Sequence, residues 1–425
     1  MASTRKQADF DLITLALYGL LVVLGIMTVY AVTSSEGNEA LFDFGRMHGK
    51  QLMWGGISVV ATIMILSLDH RFIEASAYVA YGGSIGLLIL TLLIGTEVNG
   101  AKAWLDLGGV RLQSAELAKI ATALALAKYM SRLNFQMRDM QQFLVAGAIV
   151  VTPALITILM NDTGSALVFG SFIFVFYREG LNPLIPIFIL TVAAISIISL
   201  AFEPLWVILG IWTIGALVFF FTWNRRYWVR NLVLHLILLG FFSGVSYGVD
   251  YVVDEVLQAH QRNRIMVLLD PQLDLNGVGY NANQSKIAIG SGGFSGKGFL
   301  EGNYTKNKFV PEQETDFIFC TIGEERGWLG STFLVMVFFL IIARVQHMGE
   351  SSKTKFARIY GYSVMSILFF HVMVNVGMTI GLMPVIGIPL PFISYGGSSL
   401  LSFTLLVMIM VNLHSYRNSV LGSKS

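Results

Sequence analysis

Apolar runs of roughly 17 to 25 residues, separated by short polar connections, recur almost from one end of the chain to the other. They fall near residues 12–33, 51–68, 75–95, 115–131, 142–160, 164–178, 183–201, 205–223, 232–250, 317–344, 358–382 and 398–415. Each is long enough to cross a hydrocarbon core of about 30 Å as a helix, the one open-ended backbone form that satisfies its own polar groups in lipid. The pattern predicts an all-α polytopic integral membrane protein with roughly ten to twelve transmembrane helices. With short tails and no internal repeat, residues 1–425 read as one integral membrane domain.

A single long break, 251–316, interrupts the series. It is rich in Gly, Asn and Ser, yet carries Tyr280, Ile287, Ile289, Phe294, Phe299 and Phe309. Connections of this length are uncommon unless functional or disordered, and the aromatic and apolar content argues against disorder. A partly helical loop folded back on the bundle is expected. Towards the C-terminus, Pro384, Pro389 and Pro391 predict a second non-helical element. At membrane depth such backbone is tolerated only against protein or a watery cavity.

Composition agrees with the pattern: 55% of residues are hydrophobic and only 13% charged, against about a quarter charged in soluble domains. A net charge of +2 gives no basis for nucleic-acid binding. The lone Cys320 rules out an internal disulfide framework. The N-terminus lacks a cleavable-signal pattern, so the first apolar run reads as a retained span. Lys and Arg set the orientation. Arg5, Lys6, Arg71, Lys128, Arg132, Arg138, Arg178, Arg225, Arg226, Arg230, Arg344, Lys353, Lys355, Arg358, Arg417 and Lys424 fall on one side, with Arg46 and Lys50 as mild exceptions. Both termini are thus expected in the cytoplasm, with 96–114 and 251–316 outside.

Candidate chemistry gathers on that outer side. In PEQETDFIFCTIGEE (311–325), Asp316 directly precedes an apolar run, with Glu312, Glu314 and Thr315 beside it. Two readings stay open: a helix N-cap, or a general base whose pKa is raised by partial desolvation and like charge. In GAKAWLDLGGVRLQSAELAK (100–119), Trp104 is either an interfacial anchor or a substrate contact, and Lys102 lies two residues before it. Glu116 and Lys119, three apart, share one helix face inside a span, where charges normally pair towards the bundle interior. Asn161-Asp162-Thr163-Gly164 reads as a tight turn. Arg262, Arg264, Lys286 and Lys297 are candidate phosphate contacts, or a solvated loop face. GSGGFSGKG (290–298) fails the Walker pattern at Ser291 and Gly298 and the dinucleotide pattern at Ser295. No His or Cys spacing suits zinc.

These segments resemble the SEDS family of polytopic membrane proteins, RodA and FtsW among them. The resemblance rests on GAKAWLDLGG, QSAELAK, NDTGSAL, RNRIMVLLDP, GYNANQSKIAIGSGGFSGKGFLEG, FVPEQETDFIFCTIGEERGWLGS and NVGMTIGLMPVIGIPLPFISYGGSSLL, in family order across roughly 11–415. The GKGFLEGNYTKNKFVPE stretch looks more like RodA. The resemblance implies a peptidoglycan glycosyltransferase that polymerises lipid II during cell-wall elongation in the bacterial cytoplasmic membrane. A lipid II flippase and a division-type FtsW polymerase are the alternatives. It places the essential acid on Asp316, and other motif residues on Trp104, Glu116, Lys119, Gln284, Ser285, Lys297 and Asn375. Lys102, Arg262, Arg264, Glu312 and Thr315 complete the candidate substrate-binding set. It also implies a class B penicillin-binding transpeptidase as partner, alongside membrane lipids. It implies no metal ligand set and no certain cofactor, with a divalent cation at the diphosphate left open. Ala103, Ser114-Ala115, Glu314 and His260 depart from the family pattern, and 204–250 looks like two extra spans.

Overall fold

The computed structural model describes residues 10–34, 42–98, 100–106, 108, 111–221, 226–256, 259–269 and 277–416. Arg5, Lys6, Arg225, Arg417 and Lys424, used above for orientation, lie outside the described residues, as does the side chain of His260.

In chain order the elements are α1 (Leu12–Thr33), α2 (Met47–Ser67), α3 (His70–Ile94), β1 (Thr96–Val98), β2 (Ala101–Asp106), β3 (Arg111–Gln113), α4 (Ser114–Met130), α5 (Met140–Leu159), α6 (Thr163–Gly170) and α7 (Ile173–Arg178). They continue with α8 (Leu184–Ala201), α9 (Pro204–Phe221), α10 (Trp228–Tyr251), a π-helical turn (Val252–Val256), α11 (Ala259–Leu269), α12 (Val278–Ser291), α13 (Asn303–Lys306), α14 (Ile318–Ser351), α15 (Lys355–Thr379) and α16 (Gly397–Ser415). Ten helices among the described residues are long and apolar enough to cross a membrane. The remaining predicted spans correspond to α4, with 17 residues, and the shorter apolar stretch Thr163–Arg178. The protein is a multi-pass, predominantly helical membrane protein.

Two compact units are distinguished: Met1–Gly180 with Asn281–Ser425, and Leu181–Tyr280. Within the second, α8, α9 and α10 pack on one another, and the segment 204–250 forms the two membrane-length helices α9 and α10.

In the first unit the core is built around α4, α15 and α16, which are buried along most of their length. The alanines of α4 (Ala115, Ala118, Ala121, Ala123, Ala125 and Ala127) are all buried. Small side chains allow the close helix approach on which packing in lipid depends, and α3, α5, α15 and α16 pack on α4. Starts are fixed by short acids: Asp11 accepts from Thr14 N, Asp69 from Arg71 N, Asp139 from Gln141 N and Asp162 from Ser165 N.

Two features depart from a plain bundle. Residues 96–113 carry a three-stranded antiparallel sheet in the order β1-β2-β3, where an all-α reading has no strand. Its cause is legible afterwards: in AKAWLD the buried Ala103 and Leu105 alternate with less buried neighbours, the period-two signature of a strand. The other is a break in α14 at Gly327 (φ 62°, ψ −159°). A methyl group there would lie 2.3 Å from Gly296 N, so the position requires glycine. The loop preceding α13 satisfies the opened backbone. Trp328 N donates to Gly293 O at 2.9 Å and Leu329 N to Phe294 O at 3.1 Å. In return Lys297 N and Gly298 N donate to Glu324 O and Glu325 O at 3.1 and 3.0 Å. Part of the long loop is thereby stitched to the start of α14.

Candidate active site

Asp316 sits one residue before the cap of α14. The cap position falls to Phe317, which makes no side-chain capping hydrogen bond. The turn that presents Asp316 is built by Glu312, whose φ of 57° is uncommon for a side-chain-bearing residue. Glu312 O accepts from Thr315 N and from Phe317 N, both at 3.2 Å. Its carboxylate accepts from Thr315 Oγ1 at 3.1 Å. Glu312 and Thr315 therefore shape the turn, and Asp316 emerges half-buried.

The non-helical segment 380–396, between α15 and α16, forms the wall against which this turn rests. Ser394 Oγ donates to Thr315 O at 2.6 Å, and Tyr395 N donates to Glu314 O at 2.8 Å. Burial, together with the Glu314 carboxylate, pushes the Tyr395 phenol above its ordinary range. Asn375 Nδ2 donates to both Asp316 O and Ile388 O at 2.8 Å. Next in the chain, a methyl at Gly387 (φ 77°) would lie 3.2 Å from Asp316 Oδ2. The carboxylate thus rests over bare backbone, which only glycine leaves open.

Glu116 and Lys119 form the buried pair that their spacing predicts, 2.7 Å apart with 1% and 0% exposure. The third member of this cluster was not legible from spacing. His371 Nε2 lies 2.9 Å from Lys119 Nζ and Nδ1 lies 3.1 Å from Pro389 O. A carbonyl can only accept and an ammonium can only donate, so His371 is the neutral Nδ1–H tautomer. Lys119 is consumed by these contacts and reaches the site only through His371.

Trp104 lies half-buried on β2, opposite Thr96 and Gln113 in the sheet. Lys102 is held structurally: its backbone N donates to Met160 O at 2.9 Å and its Nζ to Leu93 O at 2.8 Å, near the end of α3. Gln113, immediately before α4, donates through Nε2 to Asp162 Oδ2 at 2.9 Å. The turn Asn161–Gly164 does more than reverse the chain. Gly164 packs on the same wall, where a methyl would lie 3.0 Å from Ile386 O.

On α12, Ser285 is buried and donates to Thr379 O at 3.0 Å, while Gln284 is half-buried. Lys286 lays its stem across Gly381 (φ 79°), its Cδ 3.0 Å from where a methyl would stand. Lys297 was a candidate phosphate contact, but the structure gives its Nζ to the fully buried Glu324 at 2.8 Å. Glu324 also accepts from Tyr304 N, Thr305 N and Thr305 Oγ1 at 2.8–2.9 Å. Lys297 and Glu324 are thus a loop clasp. Arg262 is exposed and Arg264 half-buried on α11 of the second unit. Among the described residues no group of three or more His, Cys, Asp or Glu side chains could hold a metal ion.

The comparisons with known proteins bear on this arrangement. The model of the FtsW/RodA/SpoVE cell cycle protein family matches residues 10–209 and 206–419. The chain is 32% identical over 418 residues to the peptidoglycan glycosyltransferase MrdB of Escherichia coli (strain K12), with 97% of each chain covered. It is also 32% identical to the peptidoglycan glycosyltransferase RodA of Treponema pallidum, covering 93% of this chain and 95% of that one. Among solved structures, a chain described under "Structural coordination of polymerization and crosslinking by a peptidoglycan synthase complex" superposes with a TM-score of 0.70 at 25% identity, covering 97% and 99%. The rod shape determining protein RodA of Thermus thermophilus shares the fold, with a TM-score of 0.61 at 22% identity over 96% and 98% of the chains. The chain belongs to the FtsW/RodA/SpoVE family.

Proposed function

We propose that this protein polymerises lipid II, the undecaprenyl-diphosphate-linked disaccharide peptide, on the outer face of the bacterial cytoplasmic membrane, with Asp316 as general base. The activity class is that of its relatives, which are named peptidoglycan glycosyltransferases, and the role we assign to it is cell-wall elongation and cell-shape maintenance. Asp316 takes the proton from the 4-hydroxyl of an acceptor GlcNAc. That oxygen bonds to the anomeric carbon of a MurNAc on a second lipid carrier, as the bond from that carbon to the diphosphate oxygen breaks. A single displacement converts an α donor into a β linkage, with undecaprenyl diphosphate leaving.

The observation that carries this reading is the placement of Asp316. Its backbone is gripped by Asn375 and its carboxylate lies over Gly387. A rigidly aimed carboxylate avoids reorganisation during proton transfer. For the substrate diphosphate, Lys286, Arg262 and Arg264 remain as candidate cations, and we assign it to Lys286. Lys119 and Lys297 are neutralised by Glu116 and Glu324, whereas no acid among the described residues pairs with Lys286. A cation at the diphosphate already binds it in the ground-state complex, so Lys286 contributes chiefly to substrate binding. The positive-inside pattern supports cytoplasmic termini and an outward-facing Asp316. A penicillin-binding transpeptidase is the expected crosslinking partner. Excess EDTA tests for a divalent cation at the diphosphate, and activity that survives it assigns the leaving-group charge to protein side chains.

The test is purified protein with labelled lipid II in detergent. Wild type should yield glycan chains and Asp316→Asn none, while the variant keeps the wild-type elution volume. Full activity of the variant would refute the base, and lipid transfer across vesicles without polymer would assign a flippase.

A further inference from the structure

We infer that His371 is a positioning residue for Asp316, acting through the backbone of the 386–389 segment; the inference rests on Asp316 being the base. His371 and Asn375 are one helical turn apart on α15 and so share a face. Between them they hold two successive carbonyls: Asn375 takes Ile388 O at 2.8 Å and His371 takes Pro389 O at 3.1 Å. Pro389 has no amide hydrogen, so its carbonyl is its only backbone group able to anchor the chain. Without the imidazole, the chain keeps its anchors at Ile388 O and at Leu390 N, which donates to Ser394 Oγ at 2.8 Å, and loses the one that fixes the peptide between them. Gly387, on which the Asp316 carboxylate rests, immediately precedes this anchored pair.

The imidazole is itself held rigidly. Its Nε2 accepts from Lys119 at 2.9 Å, and Lys119 donates to Glu116 at 2.7 Å. Its ring meets Phe403 edge-on, with centroids 4.8 Å apart. His371 and Lys119 are both 0% exposed. A continuous chain of contacts therefore runs from α4 through Lys119 and His371 to the wall behind Asp316. The roles of the two ring nitrogens are fixed by their partners: protonating Nε2 would set two cations 2.9 Å apart with no acceptor between them. Function follows from the shape of the group, which offers one donor and one acceptor at opposite ends of a rigid plane. Glutamine is the conservative replacement, because its amide also offers both.

The experiment compares His371→Leu, His371→Gln and Asp316→Asn with wild type in lipid II polymerisation. Rates are taken on the monodisperse fraction, well below each protein's melting midpoint. His371→Leu should lower kcat on the order of 10-fold or more, with KM changed less than about twofold. His371→Gln should recover most of the lost kcat. If the Leu variant does not fold, His371→Asn carries the same test, since it keeps a donor but is too short to span Pro389 and Lys119 together. A folded Leu or Asn variant with wild-type kcat would show a purely structural histidine and overturn the inference. So would a Gln variant as slow as Leu. Polymerisation by Asp316→Asn at the wild-type rate would remove the base that His371 aims, and would overturn both readings.

Discussion

Replacing Gly387 by alanine perturbs the site with a single carbon, and the structure sets the size of the effect. Gly387 has φ 77°, where an L-residue costs about 1–2 kcal/mol. The new methyl would lie 3.2 Å from Asp316 Oδ2, so the carboxylate must retreat by a few tenths of an ångström. A misplacement of about 1 Å can cost on the order of 100-fold in rate, so a few tenths should lower kcat roughly 3- to 10-fold. Gly381→Ala is the matched control. Its φ of 79° imposes similar backbone strain, but its methyl meets the flexible stem of Lys286. Both variants should lose about the same stability in a thermal melt, yet Gly387→Ala should lower kcat while Gly381→Ala raises KM. Measuring initial rates of glycan formation against lipid II concentration separates the two. Identical kinetic profiles, or a Gly387→Ala enzyme with wild-type kcat, would refute the reasoning.

Other expectations follow from the buried charges. Lys119→Met leaves Glu116 uncompensated in the core and should cost about 3–5 kcal/mol in a denaturation experiment. The double variant Glu116→Leu with Lys119→Met should cost less than Lys119→Met alone, because no charge is left stranded. Glu324→Ala strips an acceptor from four donors and should cost about 3 kcal/mol or more, with limited proteolysis detecting a loosened 292–306 segment. Lys286→Met should raise KM several-fold while leaving the melting midpoint unchanged; an unchanged KM would remove Lys286 from the diphosphate site.

What the chain discloses before folding divides along a physical line. Length and hydropathy locate helices, because lipid forces every span to close its own hydrogen bonds. The predicted runs accordingly reappear as α1 to α10 and α14 to α16, with α6 and α7 sharing one run. Local spacing also finds Glu116 with Lys119, since three residues make one helix face. The loop of 251–316 is partly helical, as its aromatic content suggests. Partners distant in sequence leave no such trace. His371 is 252 positions from Lys119, and Glu324 is 27 from Lys297. Lys297 consequently reads as a free cation in the sequence and as half of a clasp in the fold. The strand of AKAWLD is too short to stand out against the surrounding helix-length runs. Gly327 looks like an ordinary helix glycine until Gly293 and Gly296 are brought against it. The NDTG turn is recognisable as a turn, but its packing against Ile386 and Gly387 depends on a segment more than two hundred residues away.

The most direct measurement is glycan-chain formation from labelled lipid II by purified wild type and Asp316→Asn at matched, verified folding. The account predicts polymer from the first and none from the second. Equal polymer from both would contradict it, since the account rests on the one carboxylate that lies over Gly387, on backbone held by Asn375.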